Sequence, residues 1–155
     1  MLEEKSMSIY YVTNKKPLSH NKNGSKSKYK DEFRNEFMSK YAKLYDGLPL
    51  KDSKLQSNLV YIHRLKPGTI PDVDNLSKPI VDTFSGIIYK DDSQIIKRSA
   101  LILKFEEYDF VTVDATNIPS VIFDDFNTYL DSKAENILLF EVDKVVLDKI
   151  KIGEI

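Results

Sequence analysis

The sequence predicts an α/β domain, a mixed β-sheet with helices packed on it, on three observations. Short β-rich runs alternate along the chain with segments whose apolar residues recur every three or four positions. The chain has 155 residues, 41% of them apolar and 30% charged, which is enough for one domain with a real core and an ordinary balance for a water-facing surface. It contains no cysteine, so neither disulfides nor thiolate metal sites stabilise it. The expectation is one domain over residues 1–155, with a core at about 8–114 and a C-terminal elaboration at about 115–155 packed on it.

Taken in order, Ile9 to Thr13 (IYYVT) reads as a first strand. Asn14 to Tyr29 is rich in Lys, Asn and Ser and reads as a loop carrying Lys15, Lys16, Lys22, Lys26 and Lys28. Such a loop is either a solvated surface or an arm that grips phosphates. From Tyr29 to Tyr45, Phe33, Phe37, Tyr41 and Leu44 recur at helical spacing, with Gly47 and Pro49 as the stop. That aromatic face is expected in the core. Asn58 to Leu65 reads as a second strand, with His63 on its more polar face, and Lys66 to Gly68 as a loop. Ile95 to Phe105 reads as a long strand, Glu106 to Asp109 as a turn and Phe110 to Val113 as a further short strand. Beyond it, Pro119 to Leu130 looks helical, Ile137 to Val142 looks like a strand, and Val145 to Ile152 like a strand or a closing helix.

The stretch from Pro71 to Gln94 carries the chemistry. Two acidic clusters, Asp72 with Asp74 and Asp91 with Asp92, flank a segment in which Leu76, Ile80, Val81 and Phe84 form an apolar helical stripe. Asp74 is placed to cap that helix and Gly86 to end it. A helix of about twelve residues is roughly 18 Å long, so the clusters converge only if the following segment folds back. Converging carboxylates are hard oxygen donors suited to Mg²⁺ or Mn²⁺, which would relieve their mutual repulsion. Lys78 lies one turn after Asp74, on the same face, within reach of a phosphate. The plain alternative is that Asp-x-Asp caps a helix and Asp-Asp-Ser makes a turn. An EF-hand is excluded, because the loop lacks a further acid at position five and Gly at position six.

Residues 71–95 resemble the signature of the RusA family of Holliday junction resolvases, endonucleases that cut four-way DNA junctions. The pattern is Asp-x-Asp-Asn-Leu-x-Lys, an apolar helix with an Asp, a Gly-containing turn, and Asp-Asp-x-Gln with an apolar residue. It is met here by Asp72, Asp74, Asn75, Leu76, Lys78, Asp82, Gly86, Asp91, Asp92, Gln94 and Ile95. The resemblance implies that Asp72, Asp74 and Asp92 are catalytic acids holding Mg²⁺ or Mn²⁺, and that Lys78 is the catalytic lysine. Asp91 and Asn75 would support them, Asp91 by shaping its turn, while the sequence leaves open which Asp of the 91/92 pair points inward. It also implies a homodimer, two equal sites nicking two strands of a branched DNA. Family members follow strand one with a polar, basic loop, which turns Lys15, Lys16, Lys22, Lys26 and Lys28 into expected DNA contacts; Lys66 and Lys90, with Lys97 and Arg98, are the basic residues around the acidic site where such contacts are otherwise expected.

Charge is uneven. Residues 14–43 carry nine basic and three acidic side chains, whereas residues 105–155 carry four and twelve. The pI of about 6.1 argues mildly against a nucleic-acid partner, and the basic segment restores part of that argument. No run of about 18 apolar residues suggests a membrane span. The first residues, MLEEKSMS, lack the apolar region of a secretory signal, so a cytoplasmic location is expected. Two rivals remain at this point. A sugar transferase using Asp-x-Asp is disfavoured by the absence of a nucleotide-binding βαβ pattern. A non-catalytic protein whose acidic C-terminal part binds a partner is disfavoured by the complete acid set with Lys78.

Overall fold

The computed structural model describes residues 8–17, 26–66 and 69–153, and for 26–29 the backbone only. The elements are β1 (Ile9–Thr13), α1 (Lys26–Lys40), β2 (Leu55–His63), α2 (Val73–Thr83), β3 (Ile95–Lys104), α3 (Ser120–Asp131) and β4 (Asn136–Lys144). The strands form one mixed sheet in the order β1-β4-β2-β3. β4 runs antiparallel to both its neighbours, and β2 runs parallel to β3. A parallel pair cannot be joined by a tight turn, so the chain crosses over between them. That crossover is α2, which lays the acidic stretch against β3.

The α/β class and the mixed sheet are as expected. The C-terminal part is more than an elaboration. Residues 136–144 pair with β1 along one edge and with β2 along the other, so the last strand in sequence is central in space. β1 meets the rest of the sheet only through it.

Aromatic side chains fill the space between sheet and helices. Tyr11 of β1 lies 5.6 Å from Phe33 and 5.1 Å from Phe84, ring centre to ring centre. Phe84 in turn meets Phe37 edge-on at 5.6 Å and stacks on Phe140 of β4, also at 5.6 Å. All five rings are fully buried or nearly so. Their offset and edge-on arrangements are the ones the ring quadrupoles favour. Two buried tyrosine hydroxyls are satisfied: Tyr61 donates to Asn136 at 2.5 Å and Tyr41 to Asp125 at 2.5 Å, the latter tying the end of α1 to α3.

Several boundaries differ from expectation. α1 begins at Lys26, so Lys26 and Lys28 lie on a helix and not in a loop. Lysine is a good helix former, and the apolar pattern that begins at Phe33 gave no sign of the helix's first turns. β2 starts at Leu55 and ends at His63, earlier than the expected 58–65. The short strand expected at Phe110–Val113 is absent, because this segment crosses a sheet face instead of joining an edge. Val113 and Ile118 line a cavity with Tyr10, Asn58 and Glu141, while Phe110 stays 79% exposed. Val145–Ile152 is neither strand nor helix. Side chains replace a ladder there: Gln56 accepts from the Val146 N–H at 2.9 Å, and Lys97 donates to the Val146 carbonyl at 2.9 Å. His63 is buried, not on a polar face. Its ring lies tilted beside that of Tyr61, its Nδ1 accepts from the Leu65 N–H, and burial lowers its pKa.

Candidate active site

The local sequence explains how α2 presents its acids. Asp72, not Asp74, is the residue before the helix, with extended backbone angles (φ −66°, ψ 157°), and its carbonyl accepts the Leu76 N–H at 3.0 Å. Asp74 sits in the first turn, where its charge suits the positive end of the helix. The Asp72 carboxylate makes no capping bond, and both acids are exposed. Capping therefore consumes neither of them. Leu76, Ile80, Val81 and Phe84 face the core as their spacing predicts. Pro79 is inside the helix and buried. The helix ends at Thr83, and the Tyr89 hydroxyl donates to the Val81 carbonyl, one of those left over at that end. Gly86 follows with φ 84°, a left-handed turn residue that needs no Cβ.

The second cluster folds back as required. A short 3-10 turn, Asp92–Gln94, opens with a reciprocal cap. Asp91 Oδ1 accepts from the Ser93 N–H at 3.1 Å, and Gln94 Oε1 accepts from the Asp91 N–H at 3.0 Å. The amide of Gln94 also donates to the carbonyls of Leu50 and Ser53, at 3.2 and 3.1 Å. Asp91 and Gln94 thus build the turn. Hydrogen bonding from Ser93 holds the Asp91 carboxyl below the usual carboxylate range. Asp92 takes no part in that cap: the neighbouring carboxyls of Asp91 and Asp82, with some burial, raise its affinity for a proton.

Asp82 is the residue that sequence reasoning left without a role. Its Oδ2 lies 3.4 Å from Lys78 Nζ across one helical turn. The i, i+4 spacing from Lys78 was the available signal. Asp74, Lys78 and Asp82 are spaced four apart along α2, and Asp92 joins the Asp82 end of that row. The three acids Asp72, Asp74 and Asp92 are not gathered: among the described residues no group of three His, Asp or Glu side chains is close enough to hold an ion. The donor chemistry nevertheless fits a hard divalent cation. Mg²⁺ is commonly held by one or two carboxylates with water and substrate phosphate completing its shell. Asp92, whose affinity for a proton is raised by the neighbouring carboxyls of Asp91 and Asp82, is a place where positive charge is lacking. Asn75 is half-buried on α2.

A cleft of about 300 Å³ lies between the first half of α2 and β3, lined by Val73, Asp74, Ser77, Arg98 and Ala100. Of the expected DNA contacts, Lys16, Lys66 and Lys90 are exposed, and Lys15 is half-buried 4.0 Å from Glu36. Lys22 lies outside the described residues, as do the side chains of Lys26 and Lys28. Lys97 is engaged by Asp148 at 3.1 Å. Among the described residues no helix is long and apolar enough to cross a membrane.

Comparison with known proteins adds two findings. The family model described as endodeoxyribonuclease RusA matches residues 10–113, a span that contains the whole acidic stretch. An uncharacterized protein of Bacillus subtilis (strain 168), YqaN, is 39% identical over 56 residues, which is 35% of this chain and 39% of that relative. The matched part therefore spans well under half the length of that relative.

Proposed function

Because the chain belongs to the RusA endodeoxyribonuclease family, we propose that it hydrolyses phosphodiesters in four-way or other branched DNA, as a homodimer that uses Mg²⁺ or Mn²⁺, in DNA recombination or repair. The observation that carries this reading is the family match over residues 10–113, which includes every acid of the 72–92 stretch and Lys78.

In this reading Asp72, Asp74 and Asp92 would hold the cation, which would supply polarisation of the scissile phosphodiester and a more acidic water. The chain's own residues do the rest. Lys78, half-exposed, is the cation of α2 nearest these acids in sequence. Its pairing with Asp82 is a surface ion pair, worth at most about 1 kcal/mol, so the ammonium can leave for a phosphate at little cost. There it stabilises charge that develops as the bond breaks. Asp91 and Gln94 hold the turn that aims Asp92. Lys16, Lys66 and Lys90, together with Lys15 and the lysines at 22, 26 and 28, supply phosphate contacts that set position without reading sequence. The acidic C-terminal region spends much of its length on α3 and the central strand β4, which weighs against its being a free partner-binding tail.

The test is cleavage of a synthetic four-way junction against linear duplex in Mg²⁺ buffer. The wild type should nick the junction preferentially, and Asp74→Asn should bind it with near-normal affinity while cleavage disappears. Normal cleavage by Asp74→Asn would remove the site assignment.

A further inference from the structure

We propose that the cleft between α2 and β3 is a seat for one DNA backbone phosphate beside Asp74, with the Arg98 guanidinium and the Ser77 hydroxyl as its donors. The inference rests on the nuclease reading and adds to it where the cut strand lies.

Arg98 is exposed on the helix-facing side of β3 and makes no ion pair among the described residues. A guanidinium suits phosphate, since its planar fork offers two parallel donors. Ser77 is 6% exposed and lines the same cleft, yet its hydroxyl has no hydrogen-bond partner among the described residues. Within a helix such a hydroxyl ordinarily bonds back to the carbonyl four residues earlier, as Thr83 does to Pro79 at 2.6 Å. Ser57, the register partner of Arg98 on β2, is buried with its Oγ unpartnered among the described residues. The Ser77 hydroxyl opens onto the cleft with no internal partner among the described residues, so it is free to donate to a ligand with acceptor atoms. The first turn of α2 borders the cleft and adds backbone N–H groups and the positive end of the helix.

The Asp74 carboxylate lines the cleft too, and it repels an anion. A phosphate therefore enters together with a divalent cation, which makes the seat cation-dependent and places the phosphate next to a proposed catalytic acid. Lys97, the neighbouring residue on β3, projects from the opposite face of the strand, where it meets Asp148 and the Val146 carbonyl.

The experiment is junction binding by fluorescence anisotropy against salt, in Ca²⁺ and in metal-free buffer, for wild type, Arg98→Ala, Arg98→Lys, Ser77→Ala and a distant control, Lys133→Ala. With Ca²⁺, Arg98→Ala should flatten the slope of log affinity against log salt by about one, so that its deficit narrows by roughly three- to fourfold over a fourfold rise in salt. Arg98→Lys should restore the slope but not the single-turnover rate in Mg²⁺, because a point charge lacks the fork. Ser77→Ala should weaken binding in Ca²⁺ and change little without metal. A slope for Arg98→Ala equal to those of wild type and Lys133→Ala, on a wild type that binds the junction, overturns the seat and leaves the nuclease reading standing. A wild type that binds no junction in either buffer overturns both.

Discussion

Phe84 closes α2 and touches three other elements, so replacing it should measure how firmly the acid-bearing helix is tied to the fold. The ring is fully buried and packs on Tyr11 of β1, Phe37 of α1 and Phe140 of β4 at centroid distances of 5.1, 5.6 and 5.6 Å. Truncation of a buried Phe to Ala costs about 3–5 kcal/mol, the lost transfer energy plus the cavity left behind. The upper part of that range applies here, because three rigid rings line the gap and cannot collapse into it. Against a total stability of about 5–15 kcal/mol for a domain, this is a large share. For a chain of this size 1 kcal/mol moves Tm by about 2–4 °C, so a loss of about 4–5 kcal/mol in Phe84→Ala should lower Tm by roughly 8–20 °C. Met38→Ala, at a side chain 56% exposed on α1, is the control and should change stability by less than about 0.5 kcal/mol. Urea and thermal unfolding followed by circular dichroism give the two values. A double-mutant cycle with Phe140→Ala should add a coupling of about 0.5–1.5 kcal/mol. A loss below about 1 kcal/mol for Phe84→Ala, or additivity with Phe140→Ala, would refute the claim that α2 is anchored through this ring onto the central strand.

Two further outcomes are expected at the site. Lys78→Ala should lower the single-turnover cleavage rate in Mg²⁺ more than it weakens junction binding in Ca²⁺, and the reverse pattern would make Lys78 only a phosphate clamp. Asp92→Asn should raise Tm in metal-free buffer at neutral pH. The contacts with Asp91 and Asp82 raise the Asp92 pKa in the folded protein, so its favourable contribution is complete below the unfolded carboxylate pKa of about 3.9 and is lost as pH rises through the folded value. The gain from Asp92→Asn should accordingly shrink as pH falls toward that range. Added Mg²⁺ should raise Tm more for the wild type than for the variant, and thermal scans across pH, with and without the ion, check both signs.

What the sequence determined by itself was local and periodic. The stripe of Leu76, Ile80, Val81 and Phe84 placed α2 and its buried face, because helical repeat and apolar spacing are properties of neighbouring residues. The same holds for β1, the long strand from Ile95 and the helix before Leu130. The acid pattern from Asp72 to Gln94 was specific enough to carry the family resemblance, which the match over residues 10–113 bears out. Only the tertiary structure decided what depends on distant partners. Asn136–Lys144 reads as an ordinary strand, and nothing local says that it enters the sheet between β1 and β2. Which carboxylate of Asp91 and Asp92 builds the turn was settled by Gln94, whose amide reaches the backbone of Leu50 and Ser53, some forty residues earlier. The meeting of Asp92 with Asp82, and the cleft that Arg98 shares with Asp74, likewise arise where a crossover helix is laid against a parallel strand. Backbone pairing and side-chain register across the sheet set those contacts, and neither is encoded in the spacing of adjacent residues.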